Sequence, residues 1–269
     1  MQTITEIRAI LEERGLHPKH RMGQNFLHDQ NQLRRLLEAS EVGPGDLVLE
    51  VGPGTGTLTE ALLEQGCEVI ASELDEDMGD IIESRLGDRL TLIRGDCLDG
   101  PRAFSRQVRN ALDGRPFRLV ANLPYGAASP IMSLLAAEQA CLGQFVTIQF
   151  EVAERLLAAV DSSDWGVLSI LIQRLADVSL ITKAPSSCFW PQPKVVSACV
   201  ALTPKRESRD IDDDEFAIFV TSLFAKRRKQ IGTILGRETD FPNDVSPDAR
   251  PSTLTIEQLE RLYKKVLSG

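Results

Sequence analysis

Apolar positions along the chain recur first at helical and then at strand-like spacing. The opening segment, 4–14, is amphipathic and closed by Gly15 and Pro18, which predicts a short helix. Asp29 is placed to cap a second helix whose buried face carries Leu33, Leu36 and Leu37. Short runs with apolar centres follow at 47–51, 68–72, 90–94, 117–121 and 145–150. Helical patterns separate the first two pairs, one carrying Leu58, Ala61, Leu62 and Leu63, the other spanning 78–86. Strands that alternate with helices predict an α/β fold, a mostly parallel sheet with helices on both faces. Two later runs, 178–182 and 195–202, can complete that sheet. The stretch 204–215 is charged and marked by Pro204, so it reads as a linker. Beyond it the patterns are helical, at 216–224, 227–235 and 255–267. Two domains are expected, 1–205 and 206–269.

Composition narrows the function classes. With 42% hydrophobic residues the chain can fill a globular core. No apolar run reaches the roughly 18 residues that a membrane helix needs. The first residues, Met1 to Ile7, have neither the basic start nor the apolar stretch of a signal peptide, so a cytoplasmic protein is expected. Cysteines at 67, 97, 141, 188 and 199 have no knuckle or redox spacing, and the three histidines (17, 20, 28) cluster near the start. Buried free thiols are expected, with no metal site and no Cys/His nucleophile pair. The formal net charge of -9 opposes bulk attraction to nucleic acid. RNA binding would therefore rest on local basic patches. Lys226-Arg227-Arg228-Lys229 is the strongest, and Arg14, Lys19, His20 and Arg21 form a second.

The chemistry-bearing residues sit where strands end. Glu50-Val51-Gly52-Pro53-Gly54-Thr55-Gly56 directly follows a predicted strand and precedes a helix, where glycines let backbone approach a ligand. A nicotinamide dinucleotide fingerprint needs a third Gly three residues after the second, and Thr57 stands there instead. Glu50 suits a cationic sulfonium better than a diphosphate. Glu73, at the end of the second strand, can accept both ribose hydroxyls of an adenosine-type cofactor, with Asp75 as the competing acceptor. Asp96, after the third strand, is placed for the cofactor's adenine amino group. Ligands bind at the C-terminal ends of strands in such sheets, which favours a site.

After the fourth strand comes Asn122-Leu123-Pro124-Tyr125. An exocyclic adenine amine is a poor nucleophile, because its lone pair is delocalised into the ring. An Asn oxygen and a backbone carbonyl can accept its hydrogens and stabilise the charge that develops as it takes a methyl group. A Tyr can stack on the base and hold it in line.

These residues resemble the small-subunit branch of the ribosomal RNA adenine N6-dimethyltransferases. The likeness runs through Gly23-Gln24-Asn25-Phe26-Leu27, Glu50 to Gly56, Asn122 to Tyr125 and Ser129-Pro130. It continues through Glu151-Val152-Ala153-Glu154-Arg155, Gly166-Val167-Leu168-Ser169, Phe189-Trp190-Pro191-Gln192-Pro193-Lys194-Val195 and Lys226-Arg227-Arg228-Lys229-Gln230. The resemblance implies a Rossmann-like class I methyltransferase domain with a seven-stranded sheet, followed by a small helical RNA-binding domain. It implies S-adenosylmethionine as donor and dimethylation of two adjacent adenosines near the 3′ end of small-subunit rRNA. The partner implied is that rRNA or the assembling small subunit, and the protein is expected to act as a monomer. Carried over, Gln24, Asn25 and Leu27 close over the donor, and Gly52 and Gly54 pack under it. Glu73 takes the ribose, Asp96 the adenine, and Asn122 lies by the methionine moiety and the target amine. Phe189 looks like a second aromatic wall around the flipped base. Arg21 and the 226–229 block would contact RNA. Two residues depart from the family pattern: Phe150 stands where a Lys is usual, and Trp165 replaces a common Tyr. Related readings are less well matched. The large-subunit enzymes typically lack Pro130 in this context, and DNA adenine methyltransferases usually have a Pro where Leu123 stands. A non-catalytic assembly factor would not need the intact donor site.

Overall fold

A computed structural model describes residues 1–100, 103–205 and 210–268, apart from the side chains of His20 and Ser268. Residues 206–209, within the expected linker and at the expected start of the second domain, lie outside the described residues.

The opening helix is α1 (Ile4–Glu13), started by a reciprocal cap between Thr3 and Glu6. The two-residue strand β1 (Phe26–Leu27) leads into α2 (Gln30–Ser40), where the Asp29 side chain accepts the Gln32 N–H as expected. Strand and helix then alternate: β2 (Leu47–Val51), α3 (Thr57–Glu64), β3 (Glu68–Glu73), α4 (Glu76–Leu86), β4 (Thr91–Arg94), α5 (Arg106–Leu112), β5 (Phe117–Asn122), α6 (Ala128–Ala137) and β6 (Cys141–Gln149). Next come α7 (Phe150–Leu156), α8 (Val167–Leu175), β7 (Ala176–Ala184), β8 (Phe189–Trp190) and β9 (Ser197–Pro204). The chain ends with α9 (Asp213–Phe224), α10 (Ile231–Leu235) and α11 (Ile256–Ser268).

Seven strands form one sheet in the order β4-β3-β2-β5-β6-β9-β7. β2 to β6 are parallel, and β9 joins β6 antiparallel. The α/β reading with a mostly parallel seven-stranded sheet holds. All five residues of β2 are buried, as a central strand covered on both faces requires. Connections run outward in opposite directions from the β2–β5 pair. That switch point leaves a crevice beyond the strands' C-terminal ends.

The chain divides into two compact units. One combines Met1–Ala153 with Asp177–Pro204; the other combines Glu154–Ala176 with the described residues of Lys205–Gly269. Glu154–Ala176 thus joins the unit that holds the C-terminal helices, not the unit that holds the sheet. Its apolar residues explain why. Trp165 and Ile170 are buried in one cluster with Phe216, Val220, Ile231 and Leu262. In the same unit the Arg174 guanidinium donates to Glu260 at 2.6 Å and to Asp213, and lies 4.7 Å from the centre of the Phe216 ring. Trp165 thus serves packing.

The helix expected over 227–235 is only α10. Residues 225–228 form turns, and Gln230 is extended ahead of Ile231. The 226–229 block is therefore a basic turn, not a helix face.

Candidate active site

A cavity of about 670 Å³ opens at the C-terminal ends of β2, β3, β4 and β5 and lies wholly within the first unit. The glycine turn forms its floor. Gly52 has φ +71, and a Cβ there would stand 3.0 Å from Pro124 Cγ. Gly54 has φ +58, and a Cβ there would stand 2.9 Å from the Phe26 ring. Two glycines thus let β1 and the Asn-Leu-Pro-Tyr segment close directly on the turn, in a left-handed backbone that other residues adopt only with strain.

Glu73 closes β3 at the cavity wall. Its carboxylate accepts the Gly54 N–H at 3.1 Å on one oxygen and the Asp75 N–H at 2.9 Å on the other. Burial pushes its pKa up, against the pull of those backbone bonds. A carboxylate offers about four lone-pair sites, so acceptor capacity remains. Asp75 is committed elsewhere: it caps α4 through Asp77 N–H and accepts Lys19 Nζ at 2.7 Å and Gln24 Nε2 at 2.7 Å. Asp75 thus accepts three of these bonds and Glu73 two, which leaves Glu73 the larger free acceptor capacity. Asp96 accepts the Leu98 N–H at 2.9 Å on one oxygen and is exposed at the cavity edge.

Glu50 is 2% exposed, with one bond from the Thr59 hydroxyl at 2.7 Å. Burial raises its pKa from 4.5 to about 8; the Thr59 bond opposes the shift and the neighbouring Glu73 adds to it. Near neutral pH the ligand-free carboxyl is mostly protonated, and a cation placed beside it would favour the ionised form.

The Asn122–Tyr125 segment is fixed at three points. Leu123 N–H donates to Thr147 O at 3.2 Å, Ala127 N–H to Pro124 O at 2.9 Å, and the Tyr125 hydroxyl pairs with Ser197 Oγ at 2.8 Å. Asn122 Nδ2 donates to the Asn25 carbonyl at 2.9 Å. A carbonyl only accepts, so this bond fixes the amide's orientation and leaves Oδ1 as an acceptor. Asn25 in turn donates to Gly23 O at 3.1 Å. Gln24 uses both ends of its amide, accepting Lys19 N–H at 2.8 Å and donating to Asp75. The cavity brings together Arg21, Gln24, Asn25, Leu27, Glu50, Gly52, Gly54, Glu73, Asp96, Asn122, Leu123, Pro124 and Tyr125.

Phe189 is not among them. It pairs with Leu27 across the β1–β8 ribbon and is 1% exposed, inside the core with Leu33 and Leu36. The expected second aromatic wall is therefore corrected. In a two-residue strand successive side chains take opposite faces, and here Phe189 takes the core. Its neighbour Trp190 stacks on Phe26 at 6.3 Å and lies under the Arg8 guanidinium at 5.1 Å.

The basic residues divide. Lys226, Arg228 and Lys229 are exposed, whereas Arg227 donates to the Ser162 and Ser163 carbonyls, both at 2.9 Å. Lys19 is held by Asp75 and Asp77, which raise its pKa through direct hydrogen bonds, and Arg21 is exposed at the cavity. Phe150 stands where the resemblance implied a cation, and Lys183 Nζ lies 4.2 Å from the centre of its ring.

Two lining residues went unremarked in the sequence. Leu74, just past Glu73, is 58% exposed at the cavity, an apolar face suited to a flat ring. Its signal is a large aliphatic directly after a strand-end acid. Thr57 Oγ1 is buried without a partner among the described residues. All five cysteines are buried free thiols; burial raises Cys97 in the cavity wall to about 12. Among the described residues no group of three His, Cys, Asp or Glu side chains could hold a metal ion, and no helix is long and apolar enough to cross a membrane.

The sheet order, with its crevice at the β2–β5 switch, is that of the class I methyltransferases. A family model described as ribosomal RNA adenine dimethylase matches residues 15–265, so the chain belongs to that family. The chain is 36% identical over 281 residues to a ribosomal RNA small subunit methyltransferase A from Pediococcus pentosaceus, covering 97% of this chain and 94% of the relative. It is 39% identical to the protein of that name from Anaeromyxobacter sp., covering 96% of each. The crystal structure of a dimethyladenosine transferase from Plasmodium falciparum superposes with a TM-score of 0.74 at 24% identity, covering 89% of this chain and 98% of that one.

Proposed function

We propose that this chain uses S-adenosylmethionine to dimethylate N6 of two adjacent adenosines near the 3′ end of small-subunit rRNA, in the cytoplasm, during ribosome biogenesis. The names of its family relatives support the substrate. The observation that carries the chemistry is the Asn122–Asn25 bond, which turns the Asn122 oxygen into an oriented acceptor beside the glycine turn.

The residues present fit the donor. Glu73 would take the ribose hydroxyls on its spare lone pairs, and Asp96 would take the adenine amine on its second oxygen. Leu74 offers the ring an apolar face. Thr57 Oγ1, otherwise unpartnered, would meet a polar group of the methionine moiety. Gly52 and Gly54 lie under it, while Gln24, Asn25 and Leu27 flank it, held by the bonds from Gln24 to Asp75 and from Asn25 to Gly23. Glu50 would face the positive charge. When bound, the donor supplies an electrophilic methyl group.

The protein's part is then orientation and charge. Asn122 Oδ1 and a backbone carbonyl of the segment accept the two N–H groups of the target amine. They localise its lone pair on nitrogen and stabilise the positive charge that grows there, an effect worth about 10²–10³ in rate for one such acceptor. Tyr125, its hydroxyl pinned to Ser197, stacks on the base and holds the attack in line. No strong base is required, because the nitrogen becomes acidic once methylated. Lys226, Arg228 and Lys229 are available for phosphate contacts despite the acidic chain, as Arg21 is at the cavity. The test is to supply labelled donor with undermethylated small subunits and map the label. Two adjacent modified adenosines are expected; label on large-subunit RNA or DNA would overturn the reading.

A further inference from the structure

Phe150 begins α7 immediately after β6, past the edge of the sheet where Asn122 ends β5. Asn122 pairs with Thr147, so Phe150 lies three residues on, about 10 Å along the strand direction. Its backbone is tied to the site. Phe150 N–H donates to Val196 O at 2.9 Å, and the next residue, Ser197, holds the Tyr125 hydroxyl. The ring is half-buried, and exposed Lys183 places its ammonium 4.2 Å from the ring centre. Among the described residues no carboxylate forms an ion pair with Lys183. Around this pair the segment leading to Ser197 exposes Lys194, Val195 and Val196, the two valines by 38% and 46%. Apolar side chains, an aromatic face and two cations thus lie on or beside the segment that ends at Ser197, the residue that holds the Tyr125 hydroxyl. That combination matches single-stranded nucleic acid, whose bases stack on apolar and aromatic faces while phosphates meet cations.

Resting on the proposed activity, we propose that Lys183 and Phe150 form a positioning site for the single-stranded RNA that flanks the target adenosine. The Lys183 ammonium contacts a phosphate, and the Phe150 ring with Val195 and Val196 supports the neighbouring base. Phe150 holds the Lys183 ammonium through cation–π attraction, and neither residue is part of the cavity lining, so neither touches the reacting atoms.

The test compares wild type, Lys183→Gln, Lys183→Arg and Phe150→Ala on undermethylated small subunits, with donor affinity measured separately. Lys183→Gln should raise KM for the particle about fivefold with kcat unchanged, and flatten the log–log salt dependence of binding by about 0.7. Phe150→Ala should raise KM at least about fivefold, and Lys183→Arg should restore it. Donor affinity should not move. An unchanged KM for Lys183→Gln overturns the inference. A KM change without a change in salt slope overturns it too, since that would mark a polypeptide contact, and loss of donor affinity would move Lys183 into the donor site. If wild type itself labels no small-subunit RNA, the functional reading has failed instead.

Discussion

Replacing Glu50 by Gln removes a buried ionisable group and keeps its shape, and its effect on the donor-free protein can be worked out from the structure. Glu50 is 2% exposed, with a single partner, Thr59, and burial carries its pKa from 4.5 to about 8. The folded state therefore holds a proton that the unfolded chain has released throughout that window. An acid whose folded pKa is raised stabilises the fold below the unfolded value and loses that contribution as pH rises. The loss is about 1.4 kcal/mol per pH unit, reaching about 3 kcal/mol at pH 7 and about 5 kcal/mol above pH 8. Gln carries no such term, and its amide oxygen can still accept the Thr59 hydroxyl. Glu50→Gln should therefore match wild type near pH 4.5 and exceed it in stability by several kcal/mol at pH 8. Glu73, also raised by burial, contributes to both proteins and largely cancels in the difference. Urea titrations at several pH values would measure this, followed by Trp190 fluorescence in a Trp165→Phe background so that the signal comes from the unit holding Glu50. The same substitution should weaken donor binding, because a cationic ligand favours the ionised acid. Wild-type affinity should rise with pH until about 8, and the Gln variant should lack that rise. A variant no more stable than wild type at pH 8, or with the same pH slope, would refute the reasoning.

Other expectations follow from the same geometry. Asn122→Ala should lower kcat about 10²–10³-fold while calorimetric donor affinity stays near wild type. Gly54→Ala puts a Cβ 2.9 Å from the Phe26 ring at φ +58, so it should cost about 1–3 kcal/mol in thermal unfolding and weaken donor binding. Arg227→Glu breaks two bonds to carbonyls and should destabilise the second unit by about 1–2 kcal/mol, read by denaturation. Arg228→Glu, at an exposed residue, should leave stability unchanged and weaken RNA binding with a shallower salt slope.

Much of this arrangement is legible in the chain because one physical constraint dominates it. A parallel strand buried on both faces must be apolar, so 47–51 and 117–121 stand out, and the residues just past them are the site. The Asp29 cap was legible because a short acceptor before an apolar helical face has few other uses. What escaped was structure with no pattern of its own. α6 is apolar on most sides and shows no clean stripe, and the two residues of β1 and of β8 are too few to alternate. The helix read over 227–235 begins only at Ile231, because the charged residues 226–229 carry no apolar spacing that marks where a helix starts. Phe189 was misplaced because a two-residue strand does not reveal which face turns inward. Glu73 was preferred over Asp75 from its place at the strand end, but the physical ground for that preference needed coordinates: only the bonds from Lys19, Gln24 and Asp77 show which carboxylate is already occupied.

The central claim is that the Asn122 segment delivers methyl groups to adenine N6 in small-subunit rRNA. It is tested most directly by adding the purified chain and labelled donor to undermethylated small subunits, then locating the label by nuclease digestion and mass spectrometry. The account expects dimethyladenosine at two adjacent positions near the 3′ end, formed at least about a hundredfold more slowly with Asn122→Ala. Label elsewhere, or full labelling by the Ala variant, would contradict it.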